Sequence, residues 1–327
     1  MIALITGITG QDGSYLTEAL LQRGDVVHGT VRRTSTLERS RLAHLYANPA
    51  IYNKQLFLHY AELEDITTLR RITDRVKPQR FYHLAGQSHV GLSFEMPETT
   101  CQLTAIGTLK ILEVLRDTAS PPKFLHASSS EIFGSPDISP QTENTAMRPI
   151  TPYGCAKAFA TQMVRIYRDQ HGLFACNAIS YNHESPRRGE NFVTRKICRA
   201  AAEIKLGRRS HLSLGNLDAR RDWSDARDVV RGFLMILDQS TADDFILASG
   251  TTHSVRDITQ TAFASLGLDW KRYVRSEEHL LRPADPVHLC GDASKAKTVL
   301  GWQPQSSAHN LIAEMAQAEL ARLSSRP

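Results

Sequence analysis

The chain has little of what would tie it to a membrane, a metal or a nucleic acid. No apolar stretch in its 327 residues reaches the roughly 18 that a membrane span requires. The apolar start Met1-Ile2-Ala3-Leu4-Ile5-Thr6-Gly7 carries no basic segment and no cleavage site ahead of a glycine-rich turn, so a cytoplasmic location is expected. The five cysteines, Cys101, Cys155, Cys176, Cys198 and Cys290, are odd in number, widely spaced and without a C-x-x-C pair. That argues against a zinc or thiol-exchange site and predicts buried free thiols, with no metal. There is no long basic run either. The net charge is only +5, and arginines recur in pairs, Arg32-Arg33, Arg187-Arg188 and Arg220-Arg221, beside stretches that read as ligand loops. Such pairs suit phosphorylated small molecules better than nucleic acid. Glycine and proline are in no excess, and there is no repeat or low-complexity segment.

The residues that are present read as a soluble α/β protein. With 41% hydrophobic and 22% charged residues over 327 positions, the chain can bury one large domain and a smaller appended one. Ile2-Ala3-Leu4-Ile5-Thr6 is an apolar β-type run. It leads into Gly7-Ile8-Thr9-Gly10-Gln11-Asp12-Gly13 and then a helical pattern at Tyr15, Leu16, Ala19, Leu20 and Leu21. Glycines at G-x-x-G-x-x-G let the backbone turn tightly and approach a pyrophosphate. The helix start behind them offers free N–H groups to the anion. The next apolar run, Asp25 to Val31, ends in Arg32-Arg33, where an NAD-selective protein would place an acid. Two guanidiniums there suit a 2′-phosphate, so NADP is the expected cofactor.

Strand-like and helical segments then alternate: 56–60, 66–76, 80–85, 101–118, 123–128, 153–171 and 173–179. Crossovers of this length demand a parallel sheet covered on both faces, with the ligand beyond the strand C-termini. The expected fold is a Rossmann-type, doubly wound parallel sheet with a smaller mixed α/β substrate-binding domain. Residues 1–180 would form the dinucleotide-binding domain, to which 225–250 would return; 181–224 and 251–327 would bind substrate. Glu62 and Asp65, after the third strand, read either as adenine contacts or as plain turn residues.

One constellation carries chemistry. Tyr153 opens a helix and Lys157 follows at i+4, so both side chains share a face. An ammonium beside the phenol, with a nicotinamide cation acting in the same direction, would bring a group of ordinary pKa near 10 toward use as a base. Ser128-Ser129-Ser130 ends a strand upstream and is followed at once by Glu131. Serine, tyrosine and lysine suffice to move a hydride, whereas a carboxylate can also remove a carbon-bound proton. Glu131 therefore points to oxidation coupled to elimination.

These residues together resemble the extended short-chain dehydrogenase/reductase family. Further segments are similar to its GDP-mannose 4,6-dehydratase branch: Gly7 to Leu16, Gln87-Ser88-His89-Val90, Ser93 to Glu98, Asn182 to Lys196, Arg221-Asp222-Trp223, Gly291 to Lys297, and Leu300 to Pro304. The resemblance implies a lyase of nucleotide-sugar metabolism that makes a 4-keto-6-deoxy sugar. C4 is oxidised, water is eliminated across C5 and C6, and the hydride returns to C6. Ser129, Glu131, Tyr153 and Lys157 are its implied catalytic residues. Implied cofactor contacts are Gly7, Thr9, Gly10, Gln11, Asp12, Gly13, Arg32, Glu62, Leu63, Leu84, Ala85, Gln87, Tyr153, Lys157, His183 and Arg188. Ser88, Ser129, Asn182, Lys196, Arg221 and Arg282 would contact the GDP-sugar, and the assembly would be a homodimer or homotetramer.

Several positions depart from the branch's usual residues. Ser129 stands for Thr and keeps the hydroxyl; Gly86 stands for Ala, Glu62 for Asp and Asp285 for Glu. Leu37 to Ser40 also differ, in a loop that in the family tends to reach a neighbouring subunit. Other readings are a dehydratase of a different nucleotide-linked hexose, a 4-reductase or 4-epimerase, which would need no base at C5, and a non-catalytic NADP sensor.

Overall fold

The alternating pattern folds into a layered α/β structure in the computed structural model, which describes residues 1–33, 40–280 and 289–325. In chain order the first half runs β1 (Ile2–Thr6), α1 (Gln11–Gln22), β2 (Val26–Val31), α2 (Ala43–Tyr46), β3 (Leu56–Tyr60), α3 (Ile66–Val76) and β4 (Arg80–His83). It continues with α4 (Val90–Glu95), α5 (Pro97–Thr100), α6 (Gly107–Arg116), β5 (Lys123–Ser129), α7 (Pro152–His171) and β6 (Ala175–Ser180). The second half runs β7 (Asn182–Glu184), α8 (Val193–Lys205), β8 (Leu212–Leu214), β9 (Arg220–Asp225), α9 (Ala226–Asp238) and β10 (Phe245–Leu247). It ends with β11 (Thr252–Ser254), α10 (Val255–Ser265), β12 (Val274–Ser276) and α11 (Ala308–Ser324).

Seven strands form a parallel sheet in the order β10-β6-β5-β4-β1-β2-β3. The order reverses between β1 and β4, and in open α/β sheets the crevice at such a switch point takes the ligand. Leu16, Leu20, Val229 and Phe233 cover one face, while Leu69, Ile72, Ile111, Leu115 and Val164 cover the other. β7, β9 and β11 make a second, mixed sheet, and β8 pairs with β12. These pack with α8, α10 and α11 around Ile197, Trp223, Phe263, Leu311 and Met315. The last stretch divides its packing: Ala296, Leu300 and Trp302 join the large-sheet core, and Trp302 Nε1 donates to Asp228 O at 2.8 Å.

Local chemistry sets the helix ends that matter for the site. Asp65 caps α3 by accepting from Thr68 N at 3.0 Å, which gives that residue its turn role. Thr151 caps α7 by accepting from Gly154 N at 2.9 Å, Pro152 occupies the first turn, and Gly172 ends the helix at φ 66°. Two expectations change. The helix foreseen over 101–118 is a π-helical segment, Cys101–Ile106, followed by α6. Cys101 and Cys155 are exposed, because they lie on outward faces of that segment and of α7; Cys176 and Cys198 are buried.

Candidate active site

The glycine loop is shaped by space as much as by torsion. Gly7 has φ +78°, and a Cβ there would lie 2.8 Å from Ala85 N; a Cβ on Gly13 would lie 2.4 Å from Gly7 O. Only glycine lets β1, the loop and α1 close so tightly. Gly10 stands at the N-cap of α1 with no side-chain cap, so the first-turn N–H groups stay available to an anion. They open onto a cavity of about 520 Å³. Its walls are the loop and α1, the ends of β5 and β6, the start of α7, and residues of β7, α8 and β9.

Ser129, Glu131, Tyr153 and Lys157 all line this cavity. Ser129 ends β5 opposite Ser180 of β6, and Glu131 sits in the helical turn Ser130–Ile132. A Cβ on Gly154 would be 2.6 Å from Glu131 O, so glycine is what lets the start of α7 press onto this turn. That contact puts Tyr153 beside Glu131. Burial pushes the Tyr153 phenol up to about 12; the Glu131 carboxylate adds to this, while a Ser129 hydrogen bond and Arg188 oppose it. Burial pulls the Lys157 amine down to about 8, against the Asp12 carboxylate. The ammonium donates to Ala127 O at 2.5 Å and faces His126 Nε2 at 3.5 Å. The lowering of the Tyr153 phenol expected from the Lys157 ammonium together with a nicotinamide cation concerns the cofactor-bound site. In the protein alone, desolvation of this 7% exposed side chain outweighs any such effect.

Around the glycine loop, Asp12 Oδ2 meets His183 Nε2 at 2.9 Å, and Gln11 Nε2 donates to His183 O at 3.1 Å. Burial raises the Asp12 carboxyl, but His183 lowers it further, to a net position below the ordinary range. The same pairing overcomes burial and raises His183 above its ordinary value. Gly7, Gly10, Gln11, Asp12, Gly13, Leu84, His183 and Arg188 all border the cavity. Arg188 stacks on Phe192, 3.5 Å from the ring centroid, and its Nε lies 3.1 Å from Glu184 Oε2. Ser88, Asn182, Lys196 and Arg221 also line the cavity, with Lys196 Nζ donating to Ser213 O at 3.1 Å.

Other expected site residues fall elsewhere. Thr9 is tied through its carbonyl to Arg41 Nη1 at 3.0 Å. The Leu63 side chain packs in the core with Leu4, Leu69 and Phe81, which leaves its backbone as the part that could meet a cofactor. The Gln87 amide donates to His89 O at 3.0 Å and to Thr100 Oγ1 at 3.1 Å, and shapes its own loop. Ala85 backs Gly7, and Glu62 follows β3. Arg32 and Arg33 are exposed past the end of β2. Arg282, Asp285 and Leu37 lie outside the described residues.

Sequence reasoning missed Glu184, a cavity-lining carboxylate that accepts from Thr194 Oγ1 at 2.6 Å. It also missed His83 and His126, although each lies toward the end of an apolar strand run and the β4–β5 register pairs them. Polar residues at the carboxyl ends of adjacent parallel strands were the signal.

A family model described as GDP-mannose 4,6 dehydratase matches residues 4–315. GDP-mannose 4,6 dehydratase 2 of Arabidopsis thaliana is 49% identical over 324 residues, covering 98% of this chain and 87% of the relative. GDP-mannose 4,6 dehydratase 1 of the same organism is 46% identical over 324 residues, covering 98% and 90%. Among solved structures, DesIV, a dTDP-glucose 4,6-dehydratase from Streptomyces venezuelae with NAD and TYD bound, aligns with a TM-score of 0.87. It is 25% identical, and the alignment covers 99% of this chain and 98% of that one.

Proposed function

Because the chain belongs to the GDP-mannose 4,6-dehydratase family and is a nucleotide-sugar dehydratase that needs a nicotinamide cofactor, we propose that NADP is that cofactor and that Ser129, Glu131, Tyr153 and Lys157 perform the reaction. The glycine loop fits a dinucleotide, since Gly7 and Gly13 leave no room for a Cβ and α1 presents uncapped N–H groups. A dinucleotide held by Gly7, Gly10, Gly13 and the first turn of α1 would supply a nicotinamide able to take up hydride from C4 of the sugar and return it at C6. Tyr153 takes the proton of the 4-hydroxyl, with Ser129 holding the oxygen and Lys157 supplying positive charge nearby. The 4-ketone acidifies the C5 proton, and Glu131 removes it and passes it to the departing C6 hydroxyl, which leaves as water. When the hydride returns to C6, the proton that Tyr153 took from the 4-hydroxyl balances reprotonation of C5, giving GDP-4-keto-6-deoxymannose.

The observation that carries this reading is the place of Glu131. It stands on the cavity wall beside Tyr153, where a reductase or epimerase has no use for a base. Incubation with GDP-, UDP-, CDP- and dTDP-hexoses should show loss of one water from GDP-mannose and no net consumption of NADPH. Water loss from another sugar nucleotide, with GDP-mannose untouched, would overturn the substrate assignment.

NADP is supported by Arg32 and Arg33, which leave the end of β2 exposed and free of an acidic neighbour in sequence. Replacing both by Ala should weaken NADP binding about tenfold or more in a fluorescence titration and leave NAD binding unchanged. Equal NAD and NADP affinities with silent variants would refute it. Asn182, Lys196, Arg221 and Arg282 are proposed to hold the GDP part, and Ser88 to contact the substrate.

A cytoplasmic homo-oligomer, dimer or tetramer, is also proposed. Its support is the exposed Phe94, Met96, Phe159 and Ile166 on the neighbouring α4, α5 and α7 segments. Among the described residues no helix is long and apolar enough to cross a membrane. The domain division 1–180 with 225–250, against 181–224 with 251–327, is supported by β10 pairing with β6.

A further inference from the structure

A buried polar cluster of the sheet lies against Lys157. His83 of β4 and His126 of β5 are paired in register and stack with ring centroids 5.9 Å apart. His126 is fully buried, and its Nδ1 lies 3.0 Å from Asn177 Oδ1. The Asn177 amide nitrogen already donates to Thr161 O at 3.1 Å and to Asp244 Oδ1 at 2.9 Å. Its oxygen is therefore the end that faces the ring, and His126 Nδ1 carries the proton. A neutral imidazole protonated there has only an acceptor at Nε2. That lone pair faces Lys157 Nζ at 3.5 Å.

His83 is fixed by the same reasoning. The Thr108 hydroxyl donates to Thr104 O at 2.7 Å, so it accepts from His83 Nε2 at 3.1 Å. His83 Nδ1 is left to accept from Thr6 Oγ1 at 2.7 Å. Protonating His126 would set an N–H against the Lys157 ammonium, which has only donors to offer. Burial, with the Lys157 charge adding to it, pulls His83 down to about 3 and His126 well below its ordinary value. The titratable groups facing Lys157 are thus Asp12 from α1, His83 from β4, His126 from β5 and Tyr153 from its own helix. Of the three N–H donors on Lys157, one goes to Ala127 O and one points at His126, which leaves the third for the cavity.

We infer that His126 is a positioning residue of the dehydratase: its Nε2 lone pair sets the direction of the Lys157 ammonium and keeps that buried amine protonated for its work beside Tyr153. The inference rests on the role proposed for Lys157. A separation of 3.5 Å is the outer edge of a hydrogen bond, and catalytic hydrogen bonds that are long in ligand-free proteins commonly tighten in the complex.

Three substitutions separate positioning from packing. His126→Asn puts an amide near the Nδ1 position only, His126→Gln puts an amide oxygen near Nε2, and His126→Phe keeps the ring but neither nitrogen. The Asn and Phe variants should lose about tenfold in kcat with KM for the sugar nucleotide little changed. Removing an acceptor from a charged amine disfavours the charged form, so the alkaline limb of their kcat profile should move about one pH unit lower. His126→Gln should restore both. In the protein without cofactor, the ¹³C-lysine resonance of Lys157, assigned by its loss in Lys157→Met, should titrate about one unit lower in the Asn variant and return in the Gln variant.

An unmoved Lys157 titration and alkaline limb in the Asn and Phe variants would overturn the inference. So would equal activity loss in Asn, Gln and Phe that follows a drop in Tm. If the Phe variant does not fold, the Asn and Gln pair decides. Lys157→Met separates the two readings: wild-type kcat in that variant sinks the role of Lys157 itself, whereas a dead Lys157→Met alongside a fully active His126→Asn sinks only the positioning role.

Discussion

Tyr153→Phe is expected to lower kcat by roughly 10² to 10⁴-fold, the usual worth of a positioned acid–base group. The phenol is the only hydroxyl on the first turn of α7 that faces the cavity among the described residues. Burial drives it up to about 12, so in the protein alone it is a reluctant base that holds its proton. Phe keeps the buried ring and removes only the oxygen, so Tm and cofactor affinity should stay near wild type. The diagnostic readout is isotopic. With C4-deuterated GDP-mannose, the hydride step should become fully rate-limiting and the isotope effect on kcat should rise. A variant with near wild-type kcat and an unchanged isotope effect would remove Tyr153 from the proton transfer.

Glu131→Gln is expected to abolish exchange at C5, with turnover down by roughly 10² to 10⁴-fold. Gln keeps the size and the hydrogen-bonding reach of the side chain but cannot accept a proton at neutral pH. The two chemical halves should therefore come apart. C4 oxidation should still occur within a single turnover, visible as absorbance of the reduced cofactor, while C5-deuterated substrate keeps its label. Cofactor binding should be intact, because Glu131 lies in the turn after β5 and not on the glycine loop. Release of the C5 label at the wild-type rate would refute Glu131 as the base.

The two substitutions also test different levels of the structure. Tyr153 depends on a helix cap, Thr151 accepting from Gly154 N at 2.9 Å, which starts α7 at the right residue. Glu131 depends on the Gly154 contact, where a Cβ would come within 2.6 Å of its backbone oxygen. A Gly154→Ala variant would disturb both at once, and so could not distinguish them.

Much of this was legible in the residues. The 3.6-residue periodicity that predicts a helix over 66–76 agrees with α3, and the segment from Tyr153 to His171 agrees with α7 apart from Pro152. Proline at the first turn and glycine beyond the last are local signals that need no tertiary information. The seven-stranded parallel sheet follows from crossover length and handedness. β7, β8, β11 and β12 were not legible, because each has three residues that include polar ones, too few for an alternating pattern to stand out, whereas the equally short β10 is wholly apolar. Similarity implies a cofactor contact at Leu63, and the fold adds that its side chain is buried with Leu69 and Phe81, leaving the backbone for that contact. Segment similarity does not say which way a side chain points.

What the sequence by itself determined is the order of the parts: glycine loop after β1, serines at the end of β5, Glu131 next, then Tyr153 and Lys157 one helical turn apart. These are relations between near neighbours, set by strand and helix periods and by local sterics. Only the tertiary structure decided the pairs that tune them. Asp12 meets His183 across 171 residues, His126 meets Asn177 across 51, and Lys157 meets His126 across 31. Which atoms face each other there, which imidazole nitrogen carries the proton and how far a buried amine or phenol is displaced all depend on strand register and desolvation. Those are properties of the packed sheet, and no stretch of chain encodes them alone.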